Sequence, residues 1–105
     1  MMRRFLPALF TVTAMAIMPT IPAHATGAIT CKPTPQSRWK SQDALKAQLT
    51  KQGWTVRKSK VDGGCYEVYG TTPEGDRVEA YFHPVTLEKL YVARRGEVLF
   101  RKKGY

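Results

Sequence analysis

Few side chains in this 105-residue chain have the types and spacing that chemistry needs. Glu67 and Glu79 fall on neighbouring predicted strands, where two carboxylates facing each other would suit general acid–base work. Exposed cross-strand carboxylates neutralised by Arg57 or Arg77 are the plainer reading, since such pairing is ordinary on a sheet. His83 is the only histidine after residue 25. It stands beside Pro84 with no His or Asp two to four residues further on, so it lacks the companions of a metal ligand. Ser37, Ser41 and Ser59 lie in no motif that pairs a hydroxyl with a histidine and an orienting acid. Asp62-Gly63-Gly64 lacks the Gly-Lys-Ser/Thr ending of a phosphate-binding loop. These residues predict no catalytic group, no metal and no cofactor. The chain reads as a non-enzyme.

The elements that position these groups are legible from periodicity. Ser41 offers an oxygen to the free amides of a first helical turn, and Asp43 suits the positive end of its dipole. Ala44, Leu45, Gln48 and Leu49 share one helical face, and Gly53 is placed to end the helix in a left-handed conformation. A helix over Gln42 to Gln52 follows, with Trp39 and Trp54 at its two ends. From Trp54 the pattern alternates with period two. Trp54 and Val56 point inward, then Tyr66 and Val68, then Val78, Ala80 and Phe82, then Leu90 and Val92. Lys58 spoils the first run, so that strand bends or ends there. Asp62-Gly63-Gly64, Thr71 to Gly75, His83 to Thr86 and Arg95-Gly96 are the turns. Val98 to Phe100 is a candidate for a last strand, and Arg101 to Tyr105 reads as a fraying tail. The predicted core is Trp39, Leu45, Leu49, Trp54, Val56, Tyr66, Val68, Val78, Phe82 and Leu90. The fold class is α+β, one helix on one face of an antiparallel sheet of about four strands.

Alternation sends Tyr69, Tyr81, Tyr91, Arg57 and Arg77 to the sheet face opposite the helix, together with Glu67 and Glu79. Tyr and Arg anchor many protein interfaces, so these five are the candidate partner-binding residues. The bland alternative is a wet sheet face carrying cross-strand tyrosine pairs.

The ends bound the setting. Met1-Met2-Arg3-Arg4, an uncharged and mostly apolar run from Phe5 to Ile21, and Ala23-His24-Ala25 together predict a signal peptide over residues 1–25, cleaved after Ala25. Pro7 and Pro19 interrupt the run that a retained membrane anchor would need. The remaining 80 residues hold one small domain, with residues 26–38 as an extended Pro-containing arm and 39–105 as the domain proper. Export predicts a periplasmic or secreted location, where Cys31 and Cys65 form one disulfide. Unpaired or intermolecular thiols are the alternative, and no C-x-x-C is present for a redox dithiol. Without Arg3 and Arg4 there are 15 Lys+Arg against 8 Asp+Glu, net +7. Such a charge suits acidic proteins, anionic lipid or cell-wall polymer; export disfavours nucleic acid as the physiological partner.

The Gly53-Trp54 helix end, the Cys65-Tyr66-Glu67-Val68-Tyr69 strand, the Arg77-Val78-Glu79 strand and the Tyr81-Phe82-His83-Pro84 exit together resemble the PepSY family. The resemblance covers about Trp39 to Val92. It implies the same helix-on-sheet layout and a module that regulates or inhibits a peptidase by binding it. It departs from the family at His83, where Asp is usual, and at Leu87, where Gly is common. Two other readings stay open: a cationic module on anionic lipid or polymer, and an accessory subunit of a membrane redox or sensory system.

Overall fold

The computed structural model describes residues 27–105, so the predicted signal peptide lies outside the described residues. A short 3-10 turn at Gln36–Arg38 precedes one helix, α1 (Gln42–Lys51), and five strands follow: β1 (Thr55–Asp62), β2 (Cys65–Thr71), β3 (Arg77–Phe82), β4 (Lys89–Arg94) and β5 (Glu97–Arg101). All neighbours pair antiparallel in the order β1-β2-β3-β4-β5. The sheet therefore has five strands rather than about four. The fifth forms because Arg95 and Gly96 both take left-handed backbone (φ 49° and 79°), which closes a two-residue hairpin with Arg94 opposite Glu97.

Capping sets the helix limits. Ser41 Oγ accepts from the Ala44 amide at 3.0 Å. At the other end Gly53 (φ 94°) donates to Thr50 O, and Trp54 N donates to Leu49 O at 2.9 Å. This paired closure is a Schellman motif, and it drops Trp54 directly onto the sheet. Gln52 is consequently the cap rather than the last helical residue. Leu45 and Leu49 bury fully, whereas Ala44 stays exposed. They pack with Trp54, Tyr66, Val68, Val78, Ala80, Phe82, Leu87 and Val92, and Trp39 and Val56 close the rim. Trp54 meets Phe82 edge-on at 5.9 Å, and Trp39 meets Tyr66 at 5.6 Å.

Leu90 is buried, but not where alternation put it. Tyr81 pairs with Tyr91 and Phe82 with Lys89, so Leu90 is the extra residue of a β-bulge. The bulge resets the parity and turns Leu90 to the opposite face, into a second cluster with Ile29, Cys31, Cys65, Tyr81, Tyr91 and Ala93. A similar irregularity falls between Val56 and Lys58. It explains why Lys58 spoils the pattern while β1 continues to Asp62: the strand bends and does not end. The tail is also held rather than frayed. Lys102 N donates to Leu90 O at 2.8 Å, Tyr105 N donates to Lys102 O, and Tyr105 packs on the second cluster.

The turn after β3 is built around His83. Its Nδ1 accepts from the amides of Val85 (3.1 Å) and Thr86 (3.5 Å), the work that a carboxylate does in an Asx turn. Leu87 then takes left-handed backbone (φ 60°) yet is buried in the helix-side core. Left-handed backbone costs a non-glycine residue about 1–2 kcal/mol, and deleting a buried Leu side chain costs about 2–5 kcal/mol. Packing therefore wins. Leu87→Gly is expected to destabilise the domain by about 1–3 kcal/mol in urea denaturation, the difference between those two terms. A variant as stable as the parent would show that strain dominates this turn.

Candidate functional site

The sheet face away from α1 carries the residues singled out for partner binding. While Arg77 pairs with Thr71 and Arg57 falls at the irregularity of β1, register lines the three tyrosines up in two rows across the strands. One runs Lys60, Glu67, Tyr81, Tyr91, Arg101; the other runs Lys58, Tyr69, Glu79, Ala93, Val98. Tyr81 and Tyr91 stack edge-on at 5.9 Å, Arg101 lies over the Tyr91 ring at 5.3 Å, and Lys58 and Lys60 each lie 5.8 Å from the Tyr69 ring centre.

This face is not the open, wet surface that alternation implied. Tyr69, Tyr81 and Tyr91 are 8%, 0% and 5% exposed. The arm beginning at Gly27 accounts for much of this around Tyr81. Gly27 N donates to Asp62 Oδ2 (2.8 Å), Cys31 N donates to Gly63 O (2.8 Å), and Cys31 is disulfide-bonded to Cys65. Ile29 and Cys31 then bury against Cys65, Tyr81, Leu90 and Tyr91. The Gly63-Gly64 hairpin makes this approach possible. Both glycines are left-handed, and a Cβ on Gly63 would stand 2.7 Å from Ile29 O. The three tyrosines therefore do not form one exposed patch with Arg57 and Arg77, which remain exposed.

Glu67 and Glu79 are not directly opposed: Glu67 faces Tyr81, and Glu79 faces Tyr69. Nor is Glu67 a solvent-facing carboxylate balanced by arginine. It is fully buried, with the Tyr69 hydroxyl beside it and the Lys60 ammonium 3.6 Å away. A buried carboxylate is a costly feature in a small domain. Lys58, Lys60, Asp62 and Ile29 were all missed as members of this face. The bulge beside Arg57 is the signal that places Lys58 and Lys60 there, and Lys58 breaking the alternation was its trace in the sequence.

Asp62 joins the arm to the sheet, because the Tyr81 hydroxyl also donates to its Oδ2, at 2.7 Å. That hydrogen bond, with the Gly27 amide and Lys60, holds the Asp62 carboxyl below the usual carboxylate range against the opposing effect of burial. Burial and Asp62 push the Tyr81 phenol far above its ordinary value. Since the folded-state value of Asp62 is depressed, its contribution is complete above about pH 4, the unfolded value, and is lost as pH falls through the folded value. Asp62→Ala is expected to lower stability by about 1–3 kcal/mol at neutral pH, the cost of taking its acceptor from the buried Tyr81 hydroxyl. It should also flatten the acid limb of a stability–pH curve. An unchanged acid limb would exclude this role.

The described residues thus form a small helix-on-sheet module whose second sheet face is covered by its own disulfide-fastened arm, with no cluster of three or more metal-ligating side chains among them. A family model, "Peptidase propeptide and YPEB domain", matches residues 9–91, and the chain belongs to this PepSY family. Domains of the family are generally non-catalytic propeptide or regulatory modules. No curated protein and no solved structure matches the chain. The disulfide and the family are consistent with an extracellular compartment, and no helix among the described residues is long and apolar enough to cross a membrane.

Proposed function

We propose that this is an exported, non-catalytic module that binds another protein, with a peptidase as the favoured kind of partner. Family membership over residues 9–91 is the observation that carries the reading. The exposed cations Arg57, Lys58 and Arg77, bordering the half-covered face around Tyr69, are the contact residues proposed for it. They can be changed without opening the core, which Tyr81 cannot. The protein should slow one or more peptidases of its own compartment in a cleavage assay. Arg57→Glu with Arg77→Glu should weaken that effect at least tenfold while moving stability by no more than about 0.5 kcal/mol, the usual range for surface changes. Peptidases unaffected by the parent protein would remove the peptidase reading.

One observation favours a second reading. Val98, Leu99 and Phe100 are exposed on β5, and Arg101, Lys102 and Lys103 follow them directly. An apolar strip beside cations suits anionic lipid or polymer, with binding that collapses as salt rises. Retention on anionic vesicles that survives the Arg57/Arg77 change but fails on reversing Arg101, Lys102 and Lys103 would favour this reading over the first.

A further inference from the structure

At the margin of the arm-covered face, a cavity of about 400 Å³ opens between the arm, the turn after β3 and the chain's last residues, lined by Thr30, Lys32, His83, Gly104 and Tyr105. Its polar lining is rich in donors. Lys32 brings an ammonium and Thr30 and Tyr105 bring hydroxyls, while the main-chain carboxyl of Tyr105, the one anion bordering the space, accepts from Arg101 Nη1. Lys32 makes no ion pair among the described residues, whereas the nearby Lys102 is paired with Glu88.

His83 contributes through the bonds of its own turn. Because Nδ1 accepts from the amides of Val85 and Thr86, the ring hydrogen of the neutral imidazole belongs on Nε2. An aspartate could accept the same two amides but would bring negative charge to the cavity. The imidazole satisfies the turn and keeps a donor to spare. The opposite wall is equally fixed. Cys31 lies between Thr30 and Lys32, and both its disulfide to Cys65 and its amide bond to Gly63 O hold that stretch of arm in place. On the third side, Arg101 Nη1 donates to Tyr105 O at 3.3 Å, and Tyr105 N bonds back to Lys102 O.

We propose that this cavity binds a single oxyanion group, a carboxylate or a phosphate, through the Lys32 ammonium and the Nε2–H of His83. Charge-assisted hydrogen bonds from two fixed walls give the site its selectivity for an oxyanion over chloride. The proposal does not depend on the peptidase reading, because it concerns different residues and a small probe.

The test is a titration of the full-length protein, with its cleaved N-terminus if processing occurs, using inorganic phosphate and separately acetate. Sodium chloride keeps the ionic strength constant, and the His83 ring and Lys32 side-chain resonances are followed by NMR. Both sets of signals should move together and saturate. Saturation by phosphate alone assigns a phosphate group, by acetate alone a carboxylate, and by both a general oxyanion site. Lys32→Ala and His83→Asp should each weaken binding about tenfold or more, the equivalent of one lost charged contact. Lys103→Ala, which removes a nearby cation that does not line the cavity, should leave it within about twofold. Two results would overturn the proposal: no saturating change with either probe, or equal weakening by Lys32→Ala and Lys103→Ala, which would mean diffuse attraction to a basic surface. Lys32 is exposed, so its variant decides the matter even if His83→Asp perturbs the turn.

Discussion

Trp54→Ala should destabilise the domain by about 3–5 kcal/mol, the range for deleting a buried large aromatic. Trp54 is only 9% exposed, meets Phe82 edge-on, and belongs to the cluster that fixes α1 on the sheet. Its position depends on backbone as much as side chain, because the Schellman closure at Gly53 aims it inward. A small domain commonly has a net stability of only about 5–15 kcal/mol, so the change removes a large fraction. Urea denaturation followed by far-UV circular dichroism measures it, and Trp54→Phe serves as the milder companion if the alanine variant fails to fold. A midpoint close to the parent's for Trp54→Ala would mean that the indole contributes little to holding helix and sheet together.

Cys31→Ser with Cys65→Ser is expected to have an effect of similar size. The bond joins residues 34 apart in sequence. Chain entropy alone assigns roughly 3–4 kcal/mol to closing a loop of that length. The loss also reaches packing, because Ile29 and Cys31 are held on the second face by this bond together with two backbone-amide contacts, to Asp62 and Gly63. The reduced-type variant should unfold at lower urea, and where it remains folded it should bind a hydrophobic dye that the parent does not. Unchanged dye binding together with a small shift in midpoint would show that Gly27–Asp62 and Cys31–Gly63 hold the arm without the disulfide. The alternative of unpaired thiols is set aside, since no cysteine among the described residues is free.

Much of the helix side was legible in the sequence because each cue there is local. Ser41, Asp43 and Gly53 mark the helix ends by their own chemistry, and alternation at Trp54-Val56 and through β2 and β3 follows directly from the pleat. The other side was harder to read for two physical reasons. A bulge adds one residue and flips every side chain beyond it, yet leaves little trace in composition, so Leu90 was assigned to the wrong face. The covering arm has no periodicity, and what holds it is long-range: a disulfide, an Asp62 carboxylate and a hairpin carbonyl. Gly63-Gly64 did carry a trace. Two consecutive glycines were read as a turn, but they also clear space for Ile29 and Cys31 to cross. The departures at His83 and Leu87 were visible as departures, whereas their compensation was not. An imidazole nitrogen replaces a carboxylate oxygen, and a buried leucine accepts the backbone that glycine usually takes.

With α1 on one side and the arm on the other, β2 and β3 are shielded above and below and flanked by strands on both edges, while every residue of β5 is exposed. Amide exchange should therefore divide the sheet sharply. Protons in β2 and β3 can reach solvent only when the whole domain opens, whereas those in β5 can exchange through fraying that leaves the rest intact. The chain that belongs to a family of peptidase-associated modules thus keeps its slowest-opening backbone at the centre and a basic edge, from Arg94-Arg95 to Arg101-Lys102-Lys103, at β5. A cut at that edge would loosen Tyr105, which packs on the arm's cluster, while the Cys31–Cys65 bond keeps the arm tied to β2.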